Sequence, residues 1–73
     1  MSEQPTELKK LATIASDLEL SAEMRSKAIE QLGKIGTREA LLTLLELAAN
    51  EGLITEQRDL ALRQAREIIK SGR

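Results

Sequence analysis

Eight polar side chains fall into two sets, Lys27, Glu30, Gln31 and Lys34 in the first half of the chain and Arg63, Gln64, Arg66 and Lys70 in the second. Steps of three and four residues gather side chains on one face of a helix. Lysine and arginine there bind oxyanions, either the carboxylates of a protein or the phosphates of a nucleic acid, and glutamine adds a donor and an acceptor. No other chemistry is as well furnished. The chain has no His, Cys, Trp, Tyr or Phe, which removes most nucleophilic, imidazole-base and zinc chemistry and any stacking on bases. No enzyme, metal site or cofactor is therefore expected. Glu19 and Glu23 are spaced like an acid/base or metal-binding pair, but they flank an exposed helix junction and read as solvated acids. Gly33 and Gly36 end a helix instead of linking strand to helix, so they form no phosphate loop.

The elements that must carry these side chains follow from composition. Seventy-three residues make one small domain, and 41% of them are apolar, all Leu, Ala, Ile or Met with no Val. This set favours helix over sheet, so the fold class is all-α. Eleven basic residues against twelve acidic ones leave a net charge of -1, which provides no bulk attraction to nucleic acid or anionic membrane. The start is polar and acidic, no apolar stretch reaches spanning length, and the lack of cysteine suits the cytoplasm. A soluble cytoplasmic protein without membrane partners is expected.

Periodicity and punctuation give four helices. Pro5 opens the first, about 5 to 18, with Leu8, Leu11, Ala12, Ala15 and Leu18 on one side. Ser21 caps the second, whose stripe is Met24, Ala28, Ile29, Leu32 and Ile35 and whose stop is Gly36. Thr37 starts a third, so rich in leucine (Leu41, Leu42, Leu44, Leu45, Leu47) that it should be packed on several sides. Gly52 is the expected C-cap of that helix, and Thr55 the expected N-cap of a fourth that buries Leu60, Ala61, Leu62, Ala65, Ile68 and Ile69 and closes at Ser71-Gly72. The short connections force consecutive helices to lie antiparallel as neighbours.

Sliding the chain against itself by 33 positions gives nine identities in 40 pairs: Leu8/Leu41, Leu11/Leu44, Ala15/Ala48, Leu20/Leu53, Glu23/Glu56, Arg25/Arg58, Ala28/Ala61, Gln31/Gln64 and Ile35/Ile68. Chance in this composition gives about four, and the helix boundaries also coincide. The chain therefore reads as two helical hairpins, about 5–36 and 37–71. Met24-Arg25-Ser26-Lys27-Ala28-Ile29-Glu30-Gln31-Leu32-Gly33-Lys34-Ile35-Gly36, followed by a leucine-rich helix, resembles the second helix of a HEAT repeat, especially the short bacterial type similar to phycobilisome-lyase repeats. Gln57-Arg58-Asp59-Leu60-Ala61 repeats its Arg and Ala, whereas Arg66 and Ile69 replace Gly33 and Gly36. The resemblance implies a minimal α-α superhelix that binds other proteins along the second helices of its hairpins, usually their concave side. It also implies two alternatives, backbone contacts to a nucleic acid along the same row and an accessory role in chromophore handling. Glu30, Asp59 and Glu67 interrupt the basic row, and nothing in the composition suits a tetrapyrrole.

Differences between the copies suggest a self-capped pair. Lys9, Ala12 and Lys27 become Leu42, Leu45 and Leu60, as if these leucines faced the preceding repeat; Leu18, Met24, Leu32 and Gly33 become Glu51, Gln57, Ala65 and Arg66, as if the first set faced the following one. A monomer is thus favoured over a homodimer built on surplus leucines. Arg25 and Arg58, at the edge of their stripes, are expected to bond a carboxylate or a helix terminus, and Gln31 and Gln64 to form a short polar ladder. Residues 25–36 and 53–73 each sum to +2 while the first-helix segments are acidic. The reading that results is a non-enzymatic protein-interaction module whose partner meets Lys27, Glu30, Gln31, Lys34, Arg63, Gln64, Arg66 and Lys70; an ordinary solvated face is the bland alternative.

Overall fold

Runs of Leu, Ala, Glu, Lys and Arg without β-branched clusters leave the backbone few alternatives to helix. The computed structural model, which describes residues 4–71, has four helices: α1 (Gln4–Ser16), α2 (Ala22–Ile35), α3 (Arg38–Ala48) and α4 (Thr55–Lys70). No strand occurs among the described residues.

Local chemistry sets most of the ends. Ser21 Oγ accepts from Met24 N at 3.2 Å and Thr37 Oγ1 from Ala40 N at 3.1 Å, so both predicted caps form. Gly36 ends α2 at φ 69°, the left-handed conformation that a Cβ penalises. Three ends depart from expectation. Helix α1 stops at Ser16, because the Asp17 carboxylate accepts from Glu19 N and its carbonyl from Leu20 N, drawing the chain into a turn. Helix α3 has no glycine cap: Ala49 closes it in right-handed conformation, and Asn50 Oδ1 takes the Gly52 N–H at 2.8 Å, so the side chain of Asn50 makes the turn. Helix α4 begins at Thr55, with extended Ile54 at the cap position and no side-chain bond there. Buried Leu53 anchors the chain just before it, as Leu20 precedes Ser21, so Ile54 inherits the cap place.

Helix α1 packs on α2, α3 on α4, and α2 on α4, with smaller contacts of α3 to α1 and α2. The chain is an all-α stack of two helix pairs. The repeated positions line its interior: Ala28 and Ala61 are buried, and Leu8/Leu41, Leu11/Leu44, Ala15/Ala48 and Ile35/Ile68 lie in the core or against it.

Burial differs between the copies in one consistent sense. Leu11 and Ile14 are half-buried while their equivalents Leu44 and Leu47 are buried, and Met24 is 48% exposed where Gln57 is 1%. Conversely Leu8, Ala15, Arg25 and Ile29 are buried while Leu41, Ala48 and Arg58 are half-buried and Leu62 is exposed. Each hairpin thus has a front, covered only in the second copy, and a back, covered only in the first.

This geometry corrects the capping argument. Leu42 and Leu45 are exposed and do not face the first hairpin; of that trio only Leu60 packs against the core. Helix α3 does meet all three other helices, but Leu42 and Leu45 leave one side of it open. Leu18 and Met24 are exposed as well, although Leu18 Cδ1 reaches toward Gly52 in the neighbouring turn. Leu62 and Ile69, expected inside, lie open on α4. Periodicity places them at the edge of the apolar stripe, where in α2 the neighbouring hairpin provides the cover.

Candidate partner-binding face

Two interactions fix α4 against α2 and so position the face. In the first, buried Arg25 donates from Nε to Gln57 Oε1 at 2.9 Å, while Gln57 Nε2 donates to the Ala22 carbonyl at 2.9 Å. The same guanidinium reaches back to the turn after α1, with Nη1 at 2.6 Å from the Leu20 carbonyl and 3.3 Å from that of Asp17. Arg25 therefore has the structural role expected of it, on turn carbonyls and an amide and not on a carboxylate, whereas Arg58 Nε has no hydrogen-bond partner among the described residues. In the second, Gln64 lies over Gly33. A Cβ at Gly33 would overlap Gln64 Oε1 and sit 3.1 Å from Gln64 Cβ, so the missing side chain makes room for α4.

Gln57 was not a candidate from sequence. It stands where Met24 does and reads as a solvent-facing cap, yet it is fully buried. The available signal was the arginine itself: a guanidinium repeated at an apolar edge needs an acceptor from the next layer.

The eight predicted site residues divide into three places. Arg63, Arg66 and Lys70 are exposed and, with Glu67, line one shallow depression on α4. Lys34 lines a second with Gly33, Gly36, Ile68 and Ser71, and Glu67 belongs to both, so Lys34 continues the α4 cluster across the helix junction. Glu30 is exposed on α2. Lys27 and Gln31 are also exposed but lie in a groove with Leu11, Ile14, Met24 and Ala28, on the front of the stack. Gln64 is half-buried against Gly33. Gln31 and Gln64 consequently form no ladder: Gln31 and Gly33, two residues apart, point to opposite sides of α2, and Gln64 is on the Gly33 side.

The two adjoining depressions are lined by four cations and the Glu67 carboxylate, which suits weak, salt-sensitive contact with carboxylates. Among the described residues no group of three or more acidic, His or Cys side chains could hold a metal, and no helix is long and apolar enough to cross a membrane. No protein-family model matches the chain, and neither curated proteins nor solved structures give a match to it.

Proposed function

We propose that the chain is a small helical-repeat adaptor of HEAT-like type, without catalytic activity, that binds an acidic segment of a partner protein on the α2–α4 face. The observation that carries this reading is the adjacency of Lys34 to Arg63, Arg66 and Lys70, all exposed, with Glu67 between them. Glu30 and Glu67 give the patch mixed charge, which favours a protein surface over a uniform phosphate backbone. Lys27 and Gln31, on the front groove, stand apart from it.

The test compares a tagged wild type with the variant Lys34→Glu, Arg63→Glu, Arg66→Glu in a pull-down from source-cell lysate, with circular dichroism as the check on folding. A protein captured by the wild type and lost by the variant supports the face. Equal capture moves binding elsewhere on the molecule. A gel shift of duplex DNA at low salt that disappears steeply with added salt would replace the protein partner by a nucleic acid.

A further inference from the structure

The front of the first hairpin is open, and cations line it without a carboxylate. Lys9, Lys10 and Ile14 border one depression along α1, and Leu11, Ile14, Met24, Lys27, Ala28 and Gln31 border another between α1 and α2. Ile14 belongs to both, so the two join into one groove with an aliphatic floor and lysines on each helix. Glu7, Glu23 and Glu30 are exposed on the same helices but line neither depression. The Lys34 face differs, because Glu67 stands among its cations.

The same surface one repeat on shows what such a groove holds. There Leu44, Leu47 and Ala61, the equivalents of Leu11, Ile14 and Ala28, are buried, and α2 packs on both α3 and α4. The cover is a helix. It brings Arg25 to Gln57 and Gly33 to Gln64, with buried Ile29 between them, a stripe at i, i+4 and i+8. In the first hairpin Met24 takes the place of Gln57 and Gln31 that of Gln64, so a covering helix needs an apolar residue at i and again a small one at i+8. Lys27 takes the place of half-buried Leu60, so that helix also meets a charge that α2 does not, with Lys9 and Lys10 further along the α1 side.

We propose that this front groove docks an acidic amphipathic helix of another protein, with apolar residues at i and i+4, a small residue at i+8, and Asp or Glu on the borders of that stripe toward Lys9, Lys10 and Lys27. A second copy of this chain is a poor occupant. The back of its second hairpin brings Arg58 to Met24 and Arg66 to Gln31, two cations toward a groove already positive. The groove is distinct from the Lys34 face, and the proposal does not depend on the reading of that face.

The probe is a synthetic helical peptide of about 18 residues, long enough to hold helix, with Leu, Leu and Ala at i, i+4 and i+8, glutamate beside them and a fluorescein at one end. Binding is read by fluorescence anisotropy and its place by methyl NMR. Saturable shifts of the Leu11, Ile14 and Met24 methyls are expected at up to about millimolar peptide, weakening with added salt. Affinity should fall roughly tenfold when lysines replace the peptide's glutamates, or when the protein carries Lys9→Glu, Lys10→Glu and Lys27→Glu, all exposed positions at which circular dichroism should show the helices intact. The variant Lys34→Glu, Arg63→Glu, Arg66→Glu should bind the peptide as the wild type does. Unmoved methyls, shifts centred on Leu62 and Ile69, or equal affinity for the acidic and basic peptides would each overturn the proposal. So would loss of the peptide in the Lys34 variant alone. Lysine-dependent sedimentation with phosphatidylglycerol vesicles, without peptide binding, would put an anionic lipid surface in place of the helix, and a dimer of the unmodified chain with Leu11 and Met24 at its interface would put a second copy there.

Discussion

Arg25 and Arg58 occupy the same place in two copies, and replacing each by methionine should have opposite consequences. Arg25 makes two short bonds, to Gln57 Oε1 at 2.9 Å and the Leu20 carbonyl at 2.6 Å, and a longer one to Asp17. Charge-assisted bonds contribute about 1.5–3 kcal/mol each, so the short pair accounts for roughly 3–6 kcal/mol. Methionine keeps the apolar stem and removes the burial cost of a guanidinium, which brings the net loss for Arg25→Met to about 2–4 kcal/mol. A domain of this size holds on the order of 4–11 kcal/mol in all, and at about 4–8 °C per kcal/mol the melting temperature should fall by roughly 8–32 °C. Arg58→Met removes no bond at Nε and relieves an unpaired buried donor, so stability should hold or rise, by up to about 1–3 kcal/mol. Urea unfolding followed by circular dichroism measures both. If Arg58→Met destabilises as much as Arg25→Met, the difference between a bonded and an unbonded guanidinium nitrogen does not govern these sites.

Two further substitutions probe the joints of the fold by the same assay. Ile54→Ser should stabilise by about 0.5–1 kcal/mol, since the residue is 47% exposed, has the extended backbone of a cap and matches Ser21; a loss would mean that the exposed isoleucine is held by contacts not apparent in its burial. Gly33→Leu should cost about 2 kcal/mol or more by forcing α4 off α2, and Gln64→Ala in the same chain should recover part of it, whereas full tolerance would show that the helices are not closely opposed at Gly33.

Much of the fold was legible in the sequence because its signals are local. Ser21, Gly36 and Thr37 act within one turn of themselves, and each forms the cap its chemistry dictates. Thr55 and Gly52 misled because an equally good local alternative existed beside them: buried Leu53 set the start of α4, and Asn50 captured the turn. The errors at Met24, Leu62 and Ile69 have a different origin. Periodicity identifies the side of a helix that needs cover, but whether cover exists depends on the next layer. The candidate site shows the same division. Exposure of Lys27, Glu30, Lys34, Arg63, Arg66 and Lys70 followed from the helical wheel, whereas their separation between front groove and α2–α4 face depends on how the hairpins stack. Gln57 was missed because a polar residue inside an aliphatic core is explained only by a partner 32 residues away.

The α2–α4 seam brings Gly33 against Gln64 and has no aromatic ring to interlock, and aliphatic packing alone resists sliding poorly, since one apolar side chain fits a neighbour's groove much as the next does. Arg25 and Gln57 change this. A slide of one helical turn would carry the glutamine about 5.4 Å from its arginine and strand both in an apolar setting, so only one alignment leaves every buried polar atom of the pair satisfied. The amide and guanidinium thus act as a key cut into the joint. In a protein without a single aromatic ring to interlock, the two hydrogen bonds of this glutamine join the Gly33–Gln64 contact in fixing the native alignment.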